Sequence, residues 1–335
     1  MPSIEAQRLV NGFRAFQLMV VACRLELPDL LAAGPKTADE LAASTGMHAP
    51  SLRRLLRGLE VWGVLVEIPD GRFASTPLSD QFRSDKPGLR NLTIMLSEEG
   101  YQAWGDLMYS VGTGKPAYEH LYGKSHFDRL GESPELSNHF NAAMVEASTR
   151  VAAAFTAAFD FTGVRTVVDV GGGNGAVLIA ILQANPGLRG VLFDLAQGLA
   201  GADEKLAAAG VAERASLQEG SFFESVPSGA DLYMLKWIVH DWDDERALAI
   251  LQTCRSAMNP NARLVLLERK LPDRIENPEE AFGAVMGDLN MMVVLGGKER
   301  TTNEYRDLLA EAGLRLTREI PIGPDFAAVE AVVAG

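Results

Sequence analysis

Cysteine is scarce in this chain, with only Cys23 and Cys254 in 335 residues. Two thiols outside any Cys-x-x-Cys spacing permit no disulfide framework, so a reducing compartment is expected. Histidine is almost as rare, with five copies, and His48, His120, His126 and His139 all lie far in sequence from His240. Positive charge is in deficit: 31 basic against 44 acidic residues leave a formal charge of −13. Long-range repulsion then opposes a nucleic-acid backbone or an anionic membrane as the main partner. No apolar run approaches the roughly 20 residues of a membrane span. The opening MPSIEAQRLVNGFRAF carries Glu5 and no continuous apolar core, unlike a secretory signal. Internal repeats and low-complexity tracts are lacking too. A cytoplasmic protein is the expectation, and its 47% hydrophobic content and length suit two domains.

What is present changes character near residue 163. Before it the pattern is mostly helical. Residues 10–33 read as helix with apolar side chains on more than one face, including Phe13, Phe16, Val20, Val21 and Leu27. Such a helix must be covered all round, within its domain or by a second chain; a subunit interface is the preferred reading. Residues 36–84 read as three short helices and a hairpin. Thr37-Ala-Asp-Glu40 has the spacing of a capping box, Gly46 stops that helix, and Pro69-Asp-Gly71 turns between two strand-like runs. This order suggests a winged helix and raises DNA binding through Arg53, Arg54 and Arg57. From Lys36 to Arg83, however, six basic residues face six acidic ones, so the segment lacks a DNA reader's electrostatic footprint.

From Thr166 onward strands alternate with helical patterns long enough for right-handed crossovers. The strand candidates are 166–170, 190–194, 215–220, 231–236 and 263–268, followed by a terminal antiparallel pair, 314–320 and 327–333, joined at Gly323-Pro324. Nearly continuous apolar composition in the first, fourth and fifth fits strands covered on both faces.

The first of these strands runs into Val167-Val-Asp169-Val-Gly171-Gly172-Gly173-Asn-Gly175. Glycines at a strand-to-helix turn allow close backbone approach, and the helix start offers free N–H groups. The spacing departs from the G-x-G-x-x-G of dinucleotide folds. Asp169, two positions before the first glycine, would repel a pyrophosphate but suits a cationic group. Asp194, at the end of the second strand, can accept both ribose hydroxyls. A nucleoside with a positively charged tail and no phosphates is expected, and S-adenosylmethionine fits.

In order along the chain stand VVDVGGGNG, the Asp194 strand end, LKWIVHDWDDE, LVLLERKLP and GGKERT. Together they resemble the S-adenosylmethionine-dependent O-methyltransferases of the plant caffeic-acid and bacterial polyketide/phenazine type, from about residue 10 to the C-terminus. The resemblance implies an α/β fold: a seven-stranded, Rossmann-like class I methyltransferase domain (163–335) after a mainly helical winged-helix dimerisation domain (1–95). Connecting helices (96–162) would contribute to the acceptor pocket. It implies cofactor contacts at Asp169, Gly171, Gly172, Gly173, Asp194, Leu195 and Phe222, with Asp241 close by and Lys236 reaching the methionine carboxylate or a nearby carbonyl. Ser221 stands where many relatives carry an adenine-binding aspartate, so adenine recognition is expected to be weaker or shared with Phe222. Homodimerisation through the N-terminal helices is also implied.

A metal site needs three or four convergent ligands, and His240 has only aspartates nearby in sequence, so no metal is expected. A satisfied buried histidine is the ordinary alternative. Its place after the fourth strand, on the carboxyl edge of the sheet, favours a ligand site instead. Methyl transfer to oxygen requires orienting the partners and removing one proton. Imidazole accepts that proton as the oxygen acidifies in the transition state, and a neighbouring carboxylate fixes its tautomer. The resemblance places Glu268 and Glu299 at positions that flank the base. Asp243, Asp244 and Glu245 read as solvated charges in the first turn of the next helix. Phe140 and Met144, and Asn290 and Met291, match acceptor-lining positions, with ordinary core packing as the alternative for each; Trp237 reads as a pocket wall or, preferably, core. The expected acceptor is a small aromatic molecule with a phenolic or enolic hydroxyl. Rival readings are C-methylation or non-methylating chemistry on the same fold, and a cofactor-sensing regulator.

Overall fold

A computed structural model of the chain describes residues 2–323 and 326–335. They divide into two compact units: residues up to 102 with 133–146, and residues 103–132 with 147–335. One long helix, Pro134–Ala158, runs through the boundary between them.

In the first unit the capping box forms as its spacing predicts. Thr37 Oγ1 accepts from the Glu40 N–H at 3.1 Å, the Glu40 carboxylate accepts from the Thr37 N–H at 2.7 Å, and Gly46 ends the helix at a φ of 71°. Two expectations need correction. Residues 10–33 are not one helix but two, Gly12–Arg24 and Leu27–Ala32. Glu26 takes a left-handed φ of 53°, and Pro28 can open a helix but not continue one. Residues 36–84 hold two helices, Ala38–Thr45 and Ala49–Val61, and a single 3₁₀ turn at Ser79–Phe82 in place of the third. There the Ser79 hydroxyl bonds both the N–H and the carbonyl of Thr76, which competes with helical pairing. The hairpin pairs β1 (Leu65–Glu67) with β2 (Phe73–Ser75). Leu41, Leu52, Leu56, Leu59 and Phe73 form this unit's core, whereas Leu9 and Phe13 remain 84% and 57% exposed.

The second unit is built on the seven-stranded sheet that the resemblance implies. Its strands are β3 (Thr166–Val170), β4 (Arg189–Asp194), β5 (Ala215–Glu219), β6 (Leu232–Lys236), β7 (Arg263–Arg269), β8 (Leu314–Pro321) and β9 (Phe326–Val333), in the order β5-β4-β3-β6-β7-β9-β8. All neighbours are parallel except at β9, which runs antiparallel to β7 and β8. Pro324, in the expected final turn, lies outside the described residues. Side chains alternate between two buried layers, as a period of two requires. Val168, Tyr233, Leu235, Leu264 and Leu266 pack on helix Asp244–Ala257, while Val167, Leu232, Met234, Val265 and Leu267 share a layer with helix Ala176–Ala184.

Helices follow β3, β4 and β6, but the helix expected between β5 and β6 is absent: residues 220–231 hold one short turn at 222–224 and irregular chain. The Ser221 carbonyl accepts from both Glu224 and Ser225, and Pro227 with Gly229 ends any helical continuation. The chain reverses its order across the sheet between β3 and β6. The crevice at their carboxyl ends is where open α/β sheets bind ligands.

Candidate active site

Four strand ends, those of β3, β4, β6 and β7, converge on that crevice. β3 delivers Asp169 and the glycine turn, in which Gly171 (φ 69°) and Gly173 (φ 57°) are left-handed. A Cβ on Gly171 would lie 2.5 Å from the Ile238 side chain, and one on Gly172 would lie 2.6 Å from the Asp169 carboxyl carbon. A side chain at either position would force Ile238, Leu192 or Asp169 to move. Phe222 lines the same turn, its ring 3.6 Å from where a Gly171 Cβ would stand. β4 delivers Asp194, whose carboxylate accepts from the Gly173 N–H and the Leu195 N–H, each at 2.7 Å. Burial raises the Asp194 pKa against these two bonds. Asp169 is sealed, and burial pushes its carboxyl up to about 7 against the opposing charge of Lys236. Ser221 turns its hydroxyl toward the Phe223 N–H at 3.3 Å, within its own turn.

At the end of β6, Lys236 donates to the Ser148 hydroxyl at 2.8 Å and lies 4.3 Å from the centre of the Trp237 ring. Burial lowers its ammonium to about 8, opposed by the charges of Asp169, Glu268 and Asp241. Trp237 is half-buried between Lys236 and Arg269, with its ring edge-on to Phe326. Its backbone is left-handed at a φ of 54°, a conformation that costs a non-glycine residue on the order of 1 kcal/mol or more. Glu268, at the end of β7, holds that turn: its Oε1 accepts from the Ile238 N–H at 3.1 Å and the Val239 N–H at 2.9 Å.

The turn carries His240 into a buried acidic cage. Nδ1 lies 2.9 Å from Glu299 Oε1 and 3.8 Å from Glu268 Oε2, while Nε2 lies 3.2 Å from Asp241 Oδ1. Burial alone would lower the imidazole pKa; the charges of Glu268, Glu299 and Asp241 reverse that and hold it well above 6.5. Burial also pushes Glu268 up to about 7, despite the nearby imidazolium. His240, Glu268 and Glu299 bring ligating atoms within 4.8 Å of one another. The chain therefore brings together His240, Glu268 and Glu299 from three separate segments, with Asp241 on the outward nitrogen rather than apart from it.

Asn290 accepts from the Trp104 indole N–H at 3.0 Å, and Met291 opens a π-helical turn, Met291–Leu295, a local distortion often found at functional sites. Phe140 and Met144 are half-buried on the long helix, in the first unit. Sequence reasoning missed Arg300, whose side chain is fully buried behind the His240 turn. It also took Asp244 for a purely solvated charge, whereas Asp244 pairs with Arg300 at 2.8 Å and Lys298 at 2.8 Å.

Two family models match the chain, an O-methyltransferase domain over residues 104–315 and an O-methyltransferase dimerisation domain over residues 7–85. A phenazine O-methyltransferase of Lysobacter antibioticus is 41% identical over 97% of this chain and 94% of its own length. A phenazine-1-carboxylate N-methyltransferase of Pseudomonas aeruginosa is 32% identical over 94% of this chain and 92% of its own. Among solved structures, an O-methyltransferase of neocarzinostatin biosynthesis, crystallised with S-adenosylmethionine and 2-hydroxy-5-methyl naphthoic acid, superposes with a TM-score of 0.83 at 34% identity, covering 95% of each chain.

Proposed function

The chain belongs to the S-adenosylmethionine-dependent O-methyltransferases, and from that premise we propose that it methylates a hydroxyl of a small aromatic acceptor with His240 as general base. The single observation that carries this reading is a buried imidazole gripped at Nδ1 by a carboxylate 2.9 Å away. S-adenosylmethionine suits the crevice on two counts: backbone at Gly171 and Gly172 that a Cβ would crowd against Ile238, Leu192 and Asp169, and a buried Asp169 Oδ2 without a partner among the described residues.

When bound, S-adenosylmethionine supplies an electrophilic methyl on a positively charged sulfur. Asp169 faces the cationic end, Asp194 takes the ribose hydroxyls, and Gly173 and Leu195 keep the Asp194 carboxylate aimed. The Lys236 ammonium serves the methionine carboxylate after leaving Ser148. Phe222 provides a face for the base, and Ser221 a neutral hydroxyl where a charge would bind more tightly. Asn290, Met291 and Trp237 are the proposed acceptor contacts of the second unit.

Proton removal falls to His240. A phenol titrates near ~10, so an imidazole held above its ordinary value near ~6.5 is better matched to take its proton. Glu299 keeps the proton on Nδ1, leaving Nε2 to accept from the acceptor hydroxyl, and stabilises the imidazolium that forms. The hydroxyl takes the place now held by Asp241 on Nε2, with that carboxylate left beside it to steer. Glu268 acts chiefly through backbone, fixing the turn after Trp237.

The chain also pairs with a second copy through its N-terminal helices. The dimerisation-domain match and the exposed Leu9 and Phe13 support this, and sedimentation at micromolar concentration should show a dimer. Nucleic acid is not a partner in this reading, and Arg53 already pairs with Glu67 at 2.8 Å.

A second reading, methylation of a ring nitrogen, is favoured by the relative that carries that name. A panel of catechols, naphthoates, phenazines and anthracyclinones with labelled methyl donor separates the two. Label on a hydroxyl supports the proposal; label only on nitrogen or carbon overturns it.

A further inference from the structure

We propose that Arg300 is a positioning residue for His240, clamping the turn that carries the imidazole against the segment that carries Glu299. The inference rests on the reading of His240 as base. It assigns a residue that touches neither acceptor nor cofactor and acts through the backbone.

Arg300 is the one fully buried arginine among the described residues. A guanidinium has five N–H donors in a rigid plane, and here all five are matched. Nη1 donates to the carbonyls of Val239 at 3.0 Å and Lys298 at 3.3 Å. Nη2 donates to the Trp242 carbonyl at 3.0 Å and to Asp244 Oδ1 at 2.8 Å, and Nε donates to the same carboxylate oxygen at 3.1 Å. The Val239 and Trp242 carbonyls stand on either side of His240-Asp241, so one planar group fixes both ends of the catalytic turn.

The partner segment is pinned as firmly. The Lys298 N–H donates to the His240 carbonyl at 2.9 Å, and a Cβ on Gly297 would collide with that same carbonyl. The Arg300 carbonyl accepts from the Leu271 N–H at 3.1 Å just beyond β7, and the Glu299 N–H donates to Asp288 at 3.0 Å. Because Glu299 immediately precedes Arg300, the clamp and the carboxylate that holds Nδ1 belong to one rigid stretch. Loosening the guanidinium frees the 2.9 Å His240–Glu299 bond from both sides. Lysine conserves the charge but offers three donors from a point, which cannot span carbonyls on both sides of the turn.

The test is a histidine-detected NMR titration of the full-length protein, with His240 assigned by loss of its signals in His240→Gln. It needs no acceptor, so it remains informative even if the methyl acceptor is not a hydroxyl. Arg300→Lys keeps the local charge, so a change in titration reports geometry. The midpoint of His240 should fall by about one pH unit as its carboxylate partners slacken, and its hydrogen-bonded Nδ1 proton should exchange faster. S-adenosylmethionine affinity by calorimetry should stay within about twofold, since no cofactor contact is removed. A merely structural arginine would lower the melting temperature and leave the titration of the folded protein unmoved, which would overturn the proposal. Should Arg300→Lys fail to fold, Asp244→Glu decides instead. It keeps the surface charge but displaces the carboxylate that orients the guanidinium, and should move the His240 midpoint in the same direction by a smaller amount; an unmoved midpoint there overturns the proposal equally.

Discussion

His240 Nδ1 and Glu299 Oε1 lie 2.9 Å apart, Glu299 sealed from solvent and the His240 side chain 6% exposed. A buried charge-assisted bond of this length fixes both the ring's orientation and the location of its proton. Glu299→Gln preserves the shape but not the charge. Methyl transfer should fall by roughly 10²-fold, with cofactor affinity unchanged. Single-turnover rates beside calorimetry check this, and an equal loss in both would remove the orienting role.

The same bond sets a pH dependence. The His240 pKa is held well above 6.5, burial opposing and the Glu268, Glu299 and Asp241 charges prevailing, and only the neutral ring is a base. Turnover should therefore be low near pH 6.5 and rise toward alkaline pH. In Glu299→Gln that rise should start at lower pH although the plateau is lower. Linkage adds a stability signature: the contribution of His240 is fully present below its unfolded value near ~6.5 and is lost as pH climbs through the folded one.

Asp169 predicts a proton count. Its carboxyl is pushed up to about 7, so below neutrality it carries a proton that a cationic ligand must expel. S-adenosylmethionine should bind more weakly as pH falls below about 7, releasing a proton at pH 6. Calorimetry in buffers of different ionisation heat measures that release. Asp169→Asn should abolish it and weaken binding.

Glu268 separates geometry from charge. Its Oε1 holds the Ile238 and Val239 N–H groups beside the left-handed Trp237. Glu268→Gln keeps an oxygen there and should stay folded, whereas Glu268→Ala leaves two buried donors unmet and should cost about 2–4 kcal/mol. Chemical denaturation compares the two, and equal stability would contradict the backbone role.

Much of this fold was legible because β3, β6 and β7 are covered on both faces and so are apolar almost throughout. The glycine turn was legible from residue type alone, a carboxylate two positions before three consecutive glycines at a strand end. At the break, Pro28 was the only local signal, since nothing marks Glu26 for a left-handed backbone. The helix-free link from β5 to β6 was not legible, since Ser221 there bonds locally at the expense of a helix. Arg300 was invisible for a deeper reason. Its burial depends on carbonyls contributed some 58 residues earlier in the chain, and no spacing in GGKERT encodes them. Asp244 read as solvated, and indeed stays exposed, yet its oxygen faces that buried guanidinium.

The central claim is that the His240 imidazole unloads the acceptor hydroxyl. The most direct measurement is the single-turnover methyl-transfer rate of His240→Gln to a hydroxyl acceptor, alongside its affinity for S-adenosylmethionine. A fall of roughly 10²–10⁴-fold in rate with affinity intact is the predicted result. Unchanged transfer by a folded, cofactor-binding variant would contradict it.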